Sequence, residues 1–299
     1  MSDTAVLLCG HGSRDPEAIE EFDLAAVTLR RHLGSQDFAT GYLEFARPTI
    51  QEGLGSLVAR GARRILAVPG MLFAASHVKN DLPWEMNSFM TANPAIEVKL
   101  GRDLAIDAKL LAAAADRIAG VAPEQRDNAV LVVVGRGTND PDANSNIAKL
   151  ARMLWEGMGL GWAEIAFSGV AQPRVDAALS RAAVLGFRRI IVFPYFLFTG
   201  VLVKRIYAQT DIIAALFPKI DFIKALYLRD HEGVIGAFAD RVAELDDGQP
   251  AMNCQLCKYR TRIIGYETDV SAPQTGHHHH VRGIGSGGDH NHHHHHPSK

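Results

Sequence analysis

Several features are scarce in this chain, and each scarcity excludes a class of protein. Only three cysteines occur among 299 residues, which excludes a disulfide-stapled small fold and suits a reducing compartment. Neither charge predominates, since 31 Lys and Arg face 33 Asp and Glu, and this balance argues against nucleic acid as a partner. No apolar run approaches the ~20 residues of a membrane span, and residues 5–9 are too few for the core of a signal peptide. We therefore expect a cytoplasmic protein that binds neither membrane nor nucleic acid.

The chain contains an internal duplication. Aligned on itself at a shift of 125 residues, it matches over two ungapped blocks, residues 5–18 on 130–143 and residues 42–79 on 167–204. Glycines, prolines and a basic pair recur at equivalent positions. The simplest explanation is a duplicated half, with residues 1–122 and residues 123–247 as structural equivalents.

Each half alternates short apolar runs with longer amphipathic stretches. Runs rich in Val, Ile and Leu and bounded by Gly or Pro are typical of strands buried on both faces. They comprise residues 5–9, 39–45, 63–68 and 96–100 in the first half, and residues 129–134, 163–170, 189–194 and 221–227 in the second. Helical patterns lie between them, as at residues 48–60 and 104–119. The predicted fold class is α/β, with two similar halves, each an open four-stranded parallel sheet flanked by helices.

The composition changes after residue 247. Residues 248–299 contain Cys254 and Cys257 in a Cys-x-x-Cys, and ten of the chain's 14 histidines fall within the last 23 residues. Its end, residues 276–299, cannot bury enough apolar surface to fold alone. We expect residues 248–299 to form a flexible tail rich in cysteine and histidine.

Two histidines and a glutamate follow neighbouring strands of the first half. His11 comes after the first strand, Glu44 after the second and His77 after the third. Because ligands of open parallel sheets bind outside the carboxyl ends of the strands, these side chains should meet at one edge. Imidazole and carboxylate are ligands that Co²⁺, Ni²⁺, Fe²⁺ and Zn²⁺ accept. The sequence therefore predicts a divalent-metal site.

The second half serves as an internal comparison for this site. At the shift of 125 residues, the three candidate ligands are replaced by Arg136, Gly169 and Leu202, whereas the residues that shape the fold recur. Residues needed only for folding would be needed in both copies. This pattern favours a function carried by the first half alone. The alternative is that His11 caps a turn, His77 is a histidine whose hydrogen bonds are satisfied within its loop, and Glu44 merely ends a strand.

The segments around these residues resemble a known family. G-H-G-S-R-D-P at residues 10–16, E-F-A-R-P at residues 44–48 and P-G-M-L-F-A-A-S-H-V-K-N-D-L-P at residues 69–83 look like the class II metal chelatases. A degenerate second half followed by M-x-C-x-x-C and a histidine tract resembles the long-form sirohydrochlorin cobaltochelatases of anaerobic cobalamin biosynthesis. The resemblance covers essentially the whole chain. It implies insertion of Co²⁺ into sirohydrochlorin, with the metal on His11 and His77 and with Glu44 as a third, acidic partner.

Metal insertion places further demands on the site. It displaces two pyrrole protons, so a proton acceptor is needed beside the metal. Glu44 suits that role or the role of third ligand, and both stay open. Sirohydrochlorin bears many carboxylates, which basic residues around the cleft between the halves are expected to position. The candidates are Arg14, Arg47, Lys79, Arg136, Lys204 and Arg205; the alternative for each is plain solvation of the surface.

The cysteines and the histidine tract lead to separate predictions. Cys254 and Cys257 fit half of a zinc or iron–sulfur site, or a redox dithiol. The resemblance favours an iron–sulfur cluster, which two chains would complete as a homodimer. Cys9 should simply pack in its strand. The histidine tract suits a low-order store of Co²⁺ or Ni²⁺, with a purification tag as the alternative.

Rival functions are retained beside cobalt insertion. The same scaffold suits a siroheme ferrochelatase or a nickel chelatase. Two α/β lobes also form solute-binding clefts, so a cobalt or nickel store without catalysis is a further alternative. A histidine phosphatase also begins with a His-Gly turn after a strand, but it usually has arginine immediately before the histidine, where this chain has Gly10.

Overall fold

The structure, a computed structural model, describes residues 3–122, 124, 126–248, 259–260, 267–272 and 283. The first half contains β1 (Thr4–Gly10), α1 (Pro16–His32), β2 (Asp37–Tyr42), α2 (Ile50–Ala59), β3 (Arg64–Pro69), α3 (Leu82–Ala92), β4 (Glu97–Leu100) and α4 (Ala108–Val121). The second contains β5 (Ala129–Gly135), α5 (Pro141–Met158), β6 (Trp162–Phe167), α6 (Val175–Ala183), β7 (Arg189–Pro194), α7 (Val201–Leu216), β8 (Asp221–Lys224) and α8 (Glu232–Asp246). A π-helical turn, His77–Asp81, leads into α3.

The strands form two four-stranded parallel sheets of the same topology. Their orders are β2-β1-β3-β4 and β6-β5-β7-β8. The pairing registers are also equivalent, because Ala5 opposite Asp37 and Val130 opposite Trp162 are related by the shift of 125 residues. The predicted fold class, two similar halves with open parallel sheets and flanking helices, is confirmed.

The two halves share one apolar core. Alternate residues of the central strands point to opposite faces, so Val6 of β1 and Leu131 of β5 belong to a single cluster between the sheets. Ala5 and Val130, one position away, belong to separate clusters on the outer faces. Helix α8 of the second half packs on β3, α1 and α4 of the first. The halves are therefore joined by a common core and not merely by a linker.

The loops that lead into α1 and α5 have equivalent caps. Asp15 caps α1 by accepting a hydrogen bond from the backbone N–H of Glu17, and a proline begins the helix. Asp140 caps α5 in the same way, again before a proline. An acceptor at the N-cap followed by proline is a favourable helix start, which explains why the Asp-Pro pair recurs in both halves. None of the described helices is long and apolar enough to cross a membrane.

Candidate metal centre

His11, Glu44 and His77 converge at the carboxyl edge of the first sheet. One ligand atom from each lies within 4.8 Å of the others, and Nε2 of His11 lies 4.0 Å from Oε2 of Glu44. The two imidazole rings are nearly perpendicular, with centroids 4.7 Å apart. Donors held at about 2.1 Å from one ion lie at most about 4.2 Å apart. Small side-chain rotations therefore suffice to place all three on a single cation.

The backbone holds His11 against Glu44. The N–H of Glu44 donates to the carbonyl of His11 over 3.0 Å. Between β1 and α1, Gly12 has φ +89°, and a Cβ atom there would lie 1.7 Å from the carbonyl oxygen of Glu44. Only glycine permits both this conformation and this close approach. The glycine after the first histidine thus brings the two ligand-bearing loops into contact.

Each imidazole is fixed in the tautomer that suits a metal. Nδ1 of His11 lies 2.8 Å from the carbonyl oxygen of Gly12, and Nδ1 of His77 lies 2.7 Å from Oδ2 of Asp81. Carbonyl and carboxylate oxygens only accept, so both Nδ1 atoms carry the proton and Nε2 is the nitrogen for a cation. Asp81 is buried and was missed by the sequence reasoning. Its position four residues after His77 is the signal that could have found it.

His11 is neutral in the folded protein. Burial is the main cause that lowers its pKa to about 3, and the charges of His77 and Arg136 lower it further. Its Nε2 atom is buried and has no hydrogen-bond partner among the described residues. A buried lone pair without a donor is costly unless something satisfies it. A cation at this point would do so.

The centre opens on a cleft between the halves. The cleft has a volume of about 400 Å³, within the usual range for small-molecule sites. Its walls are largely apolar and come from both halves: the rings of Phe73 and Tyr195 stack at 5.7 Å, and Phe198 contacts Phe22. The Tyr195 hydroxyl is buried without a partner among the described residues. Sequence reasoning missed Tyr195, although it directly follows β7 and the strand-end rule indicates it.

Two of the six basic candidates line this cleft. Arg14 comes from the first half, and its guanidinium lies 4.7 Å from the centroid of the Phe45 ring. Arg136 comes from the second half, where it occupies the position equivalent to His11. Its charge interacts with that of Glu44. These two residues are therefore placed where anionic groups of a bound ligand would meet them.

Two other candidates join the halves. Lys79 is fully buried, and its Nζ lies 2.9 Å from carboxylate oxygens of both Asp140 and Asp142. Lys204, the equivalent lysine, lies 2.8 Å from Asp15 and 3.1 Å from the carboxylate of Glu17. The structure corrects the expectation that these lysines face the cleft, because each is turned to carboxylates of the opposite half.

The last two basic candidates lie elsewhere. Arg47 pairs with Glu52 at the start of α2. Arg205 lies in a separate depression of the second half. Neither is in the cleft. Cys9 is buried in β1, where burial raises the pKa of its thiol; Cys254, Cys257 and the histidine tract lie outside the described residues.

The fold and the site define a protein of the chelatase type, with two equivalent α/β halves and, within the described residues, one His-His-Glu group that could hold a metal ion. The chain belongs to the CbiX family, which matches residues 5–121 and again residues 130–245. Each half is thus one copy of the family's unit, in agreement with the internal duplication.

Two relatives have names that specify different metals, cobalt in one and iron in the other. The chain is 33% identical to the sirohydrochlorin cobaltochelatase of Priestia megaterium, over 87% of this chain and 86% of that protein. It is 28% identical to the sirohydrochlorin ferrochelatase of the same organism, over 81% and 90%.

The fold is similar to that of a solved chelatase from Bacillus subtilis. SirB with Fe³⁺ superposes with a TM-score of 0.74 at 28% identity, over 82% of this chain and 98% of SirB. The cobalt complex of SirB from subspecies spizizenii gives a TM-score of 0.70 at 27% identity, over 82% and 96%. The same architecture therefore accompanies either metal.

Proposed function

We propose that the protein is a sirohydrochlorin cobaltochelatase that inserts Co²⁺ into sirohydrochlorin, with release of two protons, in cobalamin biosynthesis in the cytoplasm. The observation that carries the proposal is the His-His-Glu centre, which one half alone possesses and which opens on an apolar cleft. The 33% identity to a cobaltochelatase over most of both chains supports cobalt as the metal.

The centre suits transfer of an ion rather than its permanent retention. Two neutral imidazoles and one carboxylate leave a divalent ion with a net positive charge, and they lack the thiolates of closed structural sites. His11 needs to lose no proton before it binds, because its pKa lies far below neutrality. The ion can therefore pass to the four nitrogens of a ring seated in the cleft. Phe73 and Tyr195 supply apolar surface for such a ring.

Glu44 has two roles in this reaction. With Oε2 at 4.0 Å from Nε2 of His11, it is placed to share the ion. As the ion leaves, the same carboxylate becomes available to accept a pyrrole proton. Arg14 and Arg136, which line the cleft, are the basic residues best placed to bind the carboxylates of the substrate.

Metal insertion and its dependence on the two histidines test the proposal directly. Sirohydrochlorin and Co²⁺ are incubated with the full chain, and the pigment's absorption spectrum is followed. We expect His11→Ala and His77→Ala each to lower the insertion rate roughly 100-fold or more, as loss of a positioned group typically does. His32→Ala, on the exposed face of α1, is the matched control and should leave the rate unchanged. Near-parental rates for both His11→Ala and His77→Ala would refute the assignment.

The same assay separates the rival functions. Imidazole and carboxylate ligands do not by themselves select one of these metals, so kcat/KM is compared for Co²⁺, Fe²⁺ and Ni²⁺. A clear preference for Fe²⁺ or Ni²⁺ would make the chain a ferrochelatase or a nickel chelatase. A storage protein would bind Co²⁺ and leave the pigment metal-free.

Two further predictions concern the tail, residues 248–299. An iron–sulfur cluster on Cys254 and Cys257, completed by a second chain in a homodimer, stays a prediction, as does metal storage by the histidine tract. Both lie outside the described residues. Iron and sulfide analysis of anaerobically purified protein, with its mass in solution, tests the cluster and the dimer together.

A further inference from the structure

The second half contains a polar depression that does not belong to the metal centre. It lies at the carboxyl edge of the second sheet, where β6 ends and α6 begins, and is bounded on one side by α7; its volume is about 290 Å³. The polar and charged residues that line it are Ser168, Arg174, Asp176, Arg205 and Gln209. We call it the α6 depression.

In the first half the equivalent helix start is capped by the chain's own side chains. There Thr49 and Glu52 form a capping box at the start of α2: the hydroxyl of Thr49 accepts from the N–H of Glu52, and Oε2 of Glu52 accepts from the N–H of Thr49 at 2.7 Å. At the shift of 125 residues these positions hold Arg174 and Ala177. The second half has thus replaced the capping threonine and its partner glutamate by an arginine and an alanine, while Asp176 keeps one carboxylate in the first turn of α6.

Helix α6 accordingly begins without a side-chain cap from Arg174. The N–H of Arg174 donates to Oε1 of Gln172, and the N–H of Ala177 donates to Oδ1 of Asp176. The N–H groups of the first turn and the helix dipole favour negative charge at this end. The single carboxylate in the depression, that of Asp176, is outnumbered by two arginines.

An unsatisfied hydroxyl is the second, independent observation. Ser168 is 7% exposed, and its hydroxyl, which can donate a hydrogen bond, has no partner among the described residues. In the first half Leu43 occupies this position. The second half has therefore gained a buried polar group that points to a ligand.

The two arginines add charge without internal partners. Within the part of the chain that the structure describes, neither Arg174 nor Arg205 forms an ion pair with a carboxylate. The corresponding residues of the first half are Thr49 and Asn80, which are neutral. Arginine is well suited to bind oxyanions, because its planar guanidinium group can donate two parallel hydrogen bonds.

We propose that the α6 depression binds an oxyanion, a carboxylate or a phosphate group, at the N-terminus of α6. Arg174 and Arg205 supply charge, the first turn of α6 supplies N–H donors, and Ser168 supplies a hydroxyl. Phe167 lines both this depression and the cleft. The oxyanion could come from either of two sources. One is a carboxylate of a tetrapyrrole bound in the cleft, and this source rests on the proposed function. The other is a free anion such as phosphate, and this source does not.

Phosphate binding to the full, metal-free chain, measured by isothermal titration calorimetry, tests the site. Arg205→Gln should weaken phosphate binding about tenfold, since a hydrogen-bonded charged partner is lost. The double variant Arg174→Thr with Ala177→Glu rebuilds the capping box of the first half, so its own carboxylate should occupy the helix start and abolish binding. Arg181→Gln, at the far end of α6, removes the same charge and is the matched control. Thermal unfolding verifies that each variant is folded.

Insertion kinetics with the same variants identify the source. If a substrate carboxylate occupies the depression, the KM for sirohydrochlorin rises about tenfold with kcat unchanged, and phosphate competes with the substrate. If a free anion occupies it, phosphate binding is lost while KM stays at the parental value. Unchanged phosphate affinity together with unchanged KM in both variants would overturn the proposal. Because the phosphate titration needs no tetrapyrrole, a chain inactive as a chelatase would still give a decisive result.

Discussion

Single histidines in this molecule take their roles from the groups around Nδ1. In His11, Nδ1 lies against the carbonyl of Gly12 and must donate, which leaves Nε2 for a cation. In His231, Nδ1 accepts from the N–H of Gly233, and Nε2 lies 3.2 Å from Asp116. His231 therefore caps α8 with Nδ1 and contacts Asp116 of α4 with Nε2. Histidine is thus structural at this position and a candidate ligand at the other.

Asp81 provides a test of ligand positioning at the residue scale. It accepts from Nδ1 of His77 at 2.7 Å and from Nδ2 of Asn80 at 2.9 Å. Asp81→Asn should lower Co²⁺ affinity and insertion rate about 10–100-fold, the usual effect of losing a carboxylate behind a metal-binding histidine. Calorimetric titration with Co²⁺ measures the affinity and circular dichroism verifies the fold. Parental affinity in a folded variant would show that Asp81 does not position His77.

Asp103 leads to a prediction about stability and pH. It is buried, accepts from the N–H of Ala74 at 2.8 Å, and burial is the main cause that raises its pKa to about 6. Between pH 4 and 6 the unfolded chain releases this proton while the folded chain keeps it, so the free energy of unfolding falls as pH rises. In Asp103→Asn the amide oxygen can still accept from the N–H of Ala74, but the side chain does not ionise, so the free energy of unfolding is no longer lowered by this group as pH rises. It should add roughly 2 kcal/mol at pH 7 and little at pH 4.

Urea unfolding of parent and Asp103→Asn at both pH values measures the difference. The stabilisation should grow between about pH 4 and pH 6 and level off once the folded carboxyl is ionised, above its pKa of about 6. An equal change in the free energy of unfolding at pH 4 and pH 7 would contradict the ionisation argument, because the effect would then be one of packing alone.

At the scale of elements, the loop between the first strand and the first helix has the same backbone in both halves. Gly12 has φ +89° and Gly137 has φ +81°. A Cβ atom at Gly137 would lie 1.9 Å from the carbonyl oxygen of Gly169, much as one at Gly12 would meet Glu44. The loop geometry is therefore a property of the fold, whereas the side chains it presents differ between the halves.

This equivalence gives a matched pair of variants. Gly12→Ala and Gly137→Ala should each lower the free energy of unfolding by roughly 2–3 kcal/mol, since both add strain at a positive φ and a steric conflict. Only Gly12→Ala separates His11 from Glu44, so it alone should weaken Co²⁺ binding, at least about tenfold. Urea unfolding and Co²⁺ titration give the two readouts. Equal loss of Co²⁺ affinity in both variants would mean that the general loss of stability, and not the geometry of the Gly12 loop, controls metal binding.

At the scale of the whole molecule, the halves are tied by reciprocal ion pairs. Lys79 contacts the cap of α5, and Lys204 contacts the cap of α1. This arrangement is self-complementary in the manner of a two-fold interface. The two pairs differ in burial, because the Lys79 side chain is fully buried and that of Lys204 is half-exposed.

The difference in burial predicts unequal contributions to stability. Lys79→Met leaves Asp140 as a buried charge without its partner and should cost about 3–5 kcal/mol. Lys204→Met should change stability little, because solvent screens an exposed pair. Urea unfolding measures both. Comparable losses in the two variants would show that burial does not set the strength of these pairs. The KM for sirohydrochlorin should stay at the parental value in Lys204→Met, since this lysine faces Asp15 and Glu17 rather than the cleft.

The sequence alone predicts the fold class and the three candidate ligands, because the patterns that indicate them are local or occur in both halves. Apolar runs between glycines and prolines locate the strands, and the order of strands and helices implies parallel sheets. The rule that ligands follow strand ends then brings His11, Glu44 and His77 to one edge. The shift of 125 residues separates these ligands from scaffold positions, since a scaffold residue recurs in both halves.

Other features arise only when the two halves pack together. Lys79 meets Asp140 across 61 residues of chain, and no local pattern distinguishes a lysine that faces a cleft from one that is buried against the other half. The same holds for the aromatic walls from Phe73 and Tyr195 and for the open start of α6. Burial and partner choice depend on distances between elements remote in sequence, and these distances are set by how the two sheets pack around their common core.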